Sequence, residues 1–220
     1  MPRKAIAVVA AMHRELAPLF NEIRPQGADG IEFFELQNAV VAVGGVGRAA
    51  ATRATEAVIA KYEPATLVSA GLVGAITANL KVGDVVHARE VIDADSGAHF
   101  VSADGDGVLV TVSAVSGPGE KRTLGQRWNA DVLDMEAAAV AAQAQRSGIA
   151  FKAIKAVSDE LDFVMPPLGT FVDPAGDFHT LRFLAYVAVR PKWWKHVREL
   201  NANSRKATMN LCAALGHLIA

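Results

Sequence analysis

Residues 133–159 read LDMEAAAVAAQAQRSGIAFKAIKAVSD, and this stretch decides the fold class. Asp134 and Glu136 open an alanine-rich segment of high helix propensity, and Gly148 is the residue type that ends a helix. A short, largely apolar run follows at strand length and carries Ser158 and Asp159 to its far end. Helix starts and the carboxyl ends of strands share one edge of an α/β sheet, where ligands usually bind. Glu136 and Asp159 are therefore expected to face one pocket.

The flanking sequence fits the same architecture. Residues 4–11, KAIAVVAA, form a short apolar run suited to a strand buried on both faces. His13, Arg14 and Glu15 follow directly, with Leu16, Leu19 and Phe20 at helical spacing, so Glu15 lies where strand 1 becomes helix 1. A charge favourable at a helix start explains Glu15 as well as a catalytic role does. Residues 31–43 hold two strand-like pieces around Gln37 and Asn38, a predicted hairpin, and run into Gly44, Gly45 and Gly47 ahead of a helix. Such a glycine turn lets backbone N–H groups approach an anion or a sugar, and it also occurs with no ligand. A further strand at 66–76 is interrupted by Gly71 and Gly74, where something approaches the backbone closely. Asp104–Gly107 (DGDG) is a hairpin signal, and SGPGEKRTLGQRW reads as a polar connection. Beyond Asp159 a Pro/Gly-rich loop gives way to two helices separated by Pro191.

Composition narrows the function. With 220 residues and 51% hydrophobic content the chain suits one domain, 1–220, with a helical C-terminal extension from about 171. Lys plus Arg total 22 against 23 for Asp plus Glu, so no overall field recruits nucleic acid. The single Cys212 forms no internal disulfide and reads as a buried thiol in a reducing, cytoplasmic setting. The apolar run near the start stops after about eight residues, short of the roughly 18 that a membrane span needs. Trp193 and Trp194 lie among Lys192, Lys195, His196 and Arg198. They fit either a helix start packed on the core or a peripheral membrane contact. P-loop, zinc and G-x-S-x-G motifs are all missing, so neither a metal nor a cofactor is expected. Three acids at loop junctions, Glu15, Glu136 and Asp159, beside two glycine-rich turns point to acid–base chemistry on a small molecule.

The segments AMHRE (11–15), GGVGRAA (44–50), SAGLVGAI (69–76), DMEAAAVA (134–141) and VSDELD (157–162) together resemble the nucleoside phosphorylase/nucleosidase superfamily. The match resembles most the methylthioadenosine/S-adenosylhomocysteine nucleosidases, and the C-terminal 50 residues resemble the hopanoid-associated adenosylhopane nucleosidases. The resemblance implies a three-layer α/β/α domain with a twisted mixed sheet, a homodimer, and hydrolysis of an N-glycosidic bond that releases adenine. Asp159 would protonate the purine, its proton retained by burial, and Glu15 would activate water. Glu136 would hold the ribose hydroxyls beside Met135, with Gly71 and Ser158 also at the substrate. The family's purine-stacking phenylalanine has no counterpart in VSGPGEK (115–121), which leaves Phe163 as the expected substitute, and Leu72 stands where a serine is usual. Both departures favour a larger apolar 5′ group. A phosphate-dependent phosphorylase and a non-catalytic nucleoside-binding protein are the alternatives.

Overall fold

The computed structural model describes residues 4–20, 23–28, 30–102 and 104–219. In chain order the elements are β1 (Ile6–Ala10), α1 (His13–Leu16), β2 (Gln26–Ala28), β3 (Ile31–Glu35), β4 (Ala39–Val43), α2 (Arg48–Tyr62), β5 (Thr66–Ala75) and β6 (Val85–Asp93). They continue with β7 (His99–Val101), β8 (Gly107–Thr111), α3 (Pro118–Trp128), β9 (Val132–Asp134), α4 (Ala137–Ser147), β10 (Ala150–Asp159), α5 (Thr180–Ala188) and α6 (Trp194–Ile219).

All strands belong to one mixed sheet ordered β10-β6-β8-β9-β5-β1-β4-β3-β2, with β7 hydrogen-bonded to β6. The continuous apolar runs occupy the middle. β1 is parallel to both β4 and β5, so its Ala7, Val8 and Val9 meet helices on both faces and are almost wholly buried. The predicted hairpin is present, since β3 and β4 pair antiparallel around Gln37 and Asn38. β10 runs parallel to β5 over Ala150–Asp159 and also pairs β6, so half of the sheet curls back on itself.

Helices cover both faces. α2 and α4 pack on one side over a core that includes Val9, Val40, Leu67 and Val140. On the other side α6 presents Ala207, Leu211 and Leu215, spaced four residues apart, to Val8, Val68 and Ile154. The end of the C-terminal region is thus part of the core. Cys212 is buried there, and burial pushes its thiol up to about 11.

Two expectations need correction. DGDG is not a hairpin turn: β7 and β8 do not pair with each other, and each is hydrogen-bonded to β6 instead. The turn instead passes so close to β6 that a Cβ on Gly105 would lie 2.4 Å from the His87 carbonyl oxygen. Residues 118–128 are helix α3 rather than a polar connection, started by Pro118 at the first helical turn, where its missing N–H costs nothing.

Candidate active site

The carboxyl ends of β1, β5 and β10 and the starts of α2 and α4 surround a cavity of about 560 Å³. Glu15, Glu136, Met135, Ser158 and Asp159 all line it. Glu15 is buried in the single turn of α1 and accepts the Met12 N–H at Oε2 (3.2 Å). Burial raises its pKa, against the pull of that N–H and of Lys155. Glu136 sits at the cap of α4, where Oε1 accepts the Gly47 N–H (2.7 Å) and Oε2 that of Met135 (3.2 Å). Burial first, then the charge of Asp134, pushes Glu136 up to about 7. The glycine turn therefore spends its Gly47 amide on a protein carboxylate.

β10 shifts register against β5 between Val157 and Asp159. In a regular strand consecutive side chains point to opposite faces, and an irregularity of this kind re-aims one of them. Ser158 and Asp159 consequently both line the cavity. The Ser158 hydroxyl lies 2.7 Å from Asp159 Oδ1 and 3.2 Å from the Val73 carbonyl oxygen.

Two buried lysines, absent from the sequence reading, complete the site. Lys155, 2% exposed, reaches Asp134 Oδ2 at 2.9 Å and donates to Ser69 Oγ at 3.0 Å. Asp134 also accepts from the Thr111 hydroxyl (2.7 Å) and the Ala137 N–H (2.9 Å), which fixes the start of α4. Gly71 is the strand partner of Lys155, and a Cβ there would come within 3.5 Å of Glu15 Oε2 and 3.7 Å of Lys155 Nζ. Gly71 thus lies beneath the site, while its neighbours Leu72, Val73 and Gly74 line the cavity. Lys121 of α3 pairs with Asp159 Oδ2 at 2.5 Å, so the expectation that burial alone retains a proton on Asp159 gives way to a buried ion pair.

Phe163 does not reach the cavity. After β10 the chain turns at Leu161 and Asp162 and sets Phe163 edge-on to His196, 6.3 Å between ring centroids. The aromatic at the mouth is Phe178, with the Arg14 guanidinium 5.6 Å from its ring centre. The lining also includes apolar Val115, Met165, Leu168, Val172 and Leu200, together with Ser113, Ser116 and Ser204. Of the adjacent tryptophans, Trp193 packs on His196 with its indole nitrogen buried, whereas Trp194 is 52% exposed and donates its indole N–H to the Val187 carbonyl. No metal-binding cluster of His, Cys, Asp or Glu occurs among the described residues.

The Phosphorylase superfamily profile matches residues 5–114 and 105–165. The chain belongs to the Phosphorylase superfamily. Within it, the chain is similar to curated 5′-methylthioadenosine/S-adenosylhomocysteine nucleosidases. One from Shewanella baltica is 28% identical over 196 residues, covering 70% of this chain and 83% of that protein. One from Shewanella loihica is 32% identical over 93 residues, spanning 39% of this chain and only 40% of that relative. Among solved structures, the Neisseria meningitidis 5′-methylthioadenosine/S-adenosylhomocysteine nucleosidase in complex with methylthio-immucillin-A superposes with a TM-score of 0.72 at 20% identity, over 95% of each chain. That likeness is one of fold, a mixed sheet flanked by helices.

Proposed function

We propose that the protein is a purine nucleosidase that hydrolyses the N-glycosidic bond of a 5′-substituted adenosine and releases adenine. The observation that carries this reading is the convergence of Glu15, Glu136 and Asp159 on one cavity. Cleavage of a glycosidic bond passes through an oxocarbenium-like state, which a carboxylate at the sugar stabilises as positive charge develops. Glu136 is the group for the ribose hydroxyls, with Met135 beside it. Asp159, oriented by Ser158, protonates the leaving base, and Glu15 takes the proton of the attacking water. The apolar residues of the lining, Leu72 among them, suit an apolar 5′ substituent, an adenosylhopane-like group being the extreme case. Phe178, in place of Phe163, is the ring available at the mouth.

The surface next to the rim supports contact with a membrane interface. Leu181 (83% exposed), Leu184 and Val189 stand out from α5 and its end, near Trp194 and among Arg182, Arg190, Lys192 and Lys195. An apolar stripe edged by cations is the pattern of an interfacial helix. Trp193, turned inward, adds little to it. No helix among the described residues is long and apolar enough to cross a membrane.

Phosphorolysis has less support. Arg48 is held bidentate by Asp93 (2.8 and 2.6 Å), and Lys121 and Lys155 are paired with Asp159 and Asp134. Arg14 remains at the lip, beside a carboxylate that repels phosphate.

The test is adenine release, followed by chromatography, from 5′-methylthioadenosine, S-adenosylhomocysteine and 5′-octylthioadenosine, with and without phosphate. Phosphate-independent release that is lost in Asp159→Asn and Glu136→Gln is expected, fastest with the octyl compound. Release only with phosphate would make the protein a phosphorylase. Tight binding of all three with no release would make it a binding protein.

A further inference from the structure

The residues that the sequence reading left without a role include Lys121. It is the only residue of α3 whose side chain is buried, at 1% exposure, while the rest of the helix is half-buried or exposed. A lysine is almost never fully buried unless paired, and this one is aimed at the proposed acid. Its ammonium lies 2.5 Å from Asp159 Oδ2 and donates to the Glu160 carbonyl at 2.9 Å. The space it occupies exists because residue 74 is glycine. A Cβ there would lie 2.8 Å from Asp159 Oδ2 and 3.1 Å from Lys121 Cε. Lys121 and Asp159 both line the cavity, so a base bound against Asp159 meets a pair that already contains a proton.

We propose that Lys121 is a positioning residue that fixes the Asp159 carboxyl and supplies, through it, the proton taken by the leaving base. This deepens the nucleosidase reading and rests on it. The step balances. As the bond between the anomeric carbon and the base nitrogen breaks, a ring nitrogen of the base takes a proton from Asp159, and Asp159 takes one from the Lys121 ammonium. Water adds its oxygen to the anomeric carbon and gives a proton to Glu15. Lys121 is left as a neutral amine, and solvent restores its proton while Glu15 releases one. The advantage is in pH range. An ammonium keeps its proton through neutral pH, whereas a lone carboxyl gives it up in weak acid.

The discriminating measurement is kcat/KM for adenine release from 5′-octylthioadenosine at pH 5 and pH 8 in wild type, Lys121→Met and Lys121→Arg, with thermal melting as the control for folding. Proton transfer by a positioned group contributes about 100-fold or more. Lys121→Met is expected to lose about 100-fold at pH 8 and to recover most of it at pH 5, where Asp159 acquires a proton from solvent. Lys121→Arg restores the ion pair but does not release its proton, so it stays about 100-fold down at both values. An equal loss at the two pH values in Lys121→Met would reduce Lys121 to a packing role, and rescue by Lys121→Arg would reduce it to a fixed charge; either overturns the proposal.

A second readout needs no substrate. The ¹³C shift of the Asp159 carboxyl at pH 5 should report carboxylate in wild type and carboxyl in Lys121→Met, and the same state in both overturns the coupling. A wild-type protein that releases no adenine while showing this shift difference would sink the nucleosidase reading, and the proton-supply step with it, but would uphold Lys121 as the group that sets the charge of Asp159.

Discussion

Replacing Lys155 by Met removes the cation at the centre of the buried acids while keeping most of the side chain's volume. Lys155 and Asp134 are 2% and 4% exposed, and the ammonium also lowers the pKa of Glu15 and Glu136. Removing one member of a buried pair costs about 3–5 kcal/mol, because the other is left desolvated and unmatched. At about 2–4 °C per kcal/mol for a chain of this size, the melting temperature should fall by roughly 6–20 °C. The sign of the pH dependence follows from the same groups. Glu15 and Glu136 have folded pKa values above 4.5, so between that value and about 7 the folded state binds more protons than the unfolded one and stability falls as pH rises. Without Lys155 both values rise further and the slope steepens. Melting followed by circular dichroism at pH 5 and pH 8 should therefore show the larger loss at pH 8. Adding Asp134→Asn should return part of it, since one unmatched carboxylate is gone and the Thr111 hydroxyl still has an amide oxygen to bond. A loss equal at both pH values, or a double variant no better than the single one, would refute the electrostatic account and leave only a packing defect.

Other outcomes follow from the same geometry. In its proposed role Glu136 accepts the ribose hydroxyls as a carboxylate, so kcat/KM should rise through about pH 7, and Glu136→Gln should flatten that rise along with a loss of activity. Burial opposes ionisation of Asp93, but Arg48, Ser96 and the Asp95 amide outweigh it and hold it at about 2 against 3.8 in the unfolded chain. Its contribution is thus complete above 3.8 and lost as pH falls toward 2; because Arg48 is 38% exposed, Asp93→Asn should cost only about 1 kcal/mol at neutral pH, read by urea unfolding. Gly74→Ala forces a methyl to 2.8 Å from Asp159 and should lower adenine release by about 10-fold, with a change in melting of less than about 5 °C. Leu211→Ala, in the wholly buried contact of α6, should cost about 2–5 kcal/mol in the same urea experiment.

The parts of the fold legible in the sequence were those in which one segment fixes its own conformation. Apolar runs of strand length, Gly148 at a helix end and the Gln37–Asn38 turn each act locally, and the structure has a strand, a cap and a hairpin at those places. The glycines were legible as close approaches, but not what approaches. At Gly74 it is the Lys121–Asp159 pair, which comes from elements far away in sequence. DGDG misled for the same reason: its turn chemistry is right, and the partner of β8 was decided by the sheet. Phe163 was the nearer aromatic in sequence, yet a turn after β10 carries it away and a loop brings Phe178 in. Lys155 did leave a signal, a lysine among apolar residues four positions before Asp159, and such a lysine needs a buried partner. Lys121 left none, because a lysine in SGPGEKRTLGQRW looks like any solvated residue of a polar helix.

Those two lysines change what the three acids mean. Read alone, Glu15, Glu136 and Asp159 are a set of carboxyls whose mutual repulsion would favour protonation. In the structure four buried or half-buried carboxyls, with Asp134 included, share two ammoniums, a formal balance of −2 before Glu136 takes up any proton. The cations are not spread evenly. One is bonded to Asp134 and lies close to Glu15, and the other is bonded to Asp159 at the end of β10. Glu15 and Glu136 have no ammonium bonded to them, so the negative excess lies at the carboxyls proposed to face the sugar, and an ion pair lies at the carboxyl proposed to face the base. A phosphate would have to enter against that excess. Under the proposed function, the same asymmetry would stabilise a cationic sugar carbon and would favour water over phosphate as the second reactant.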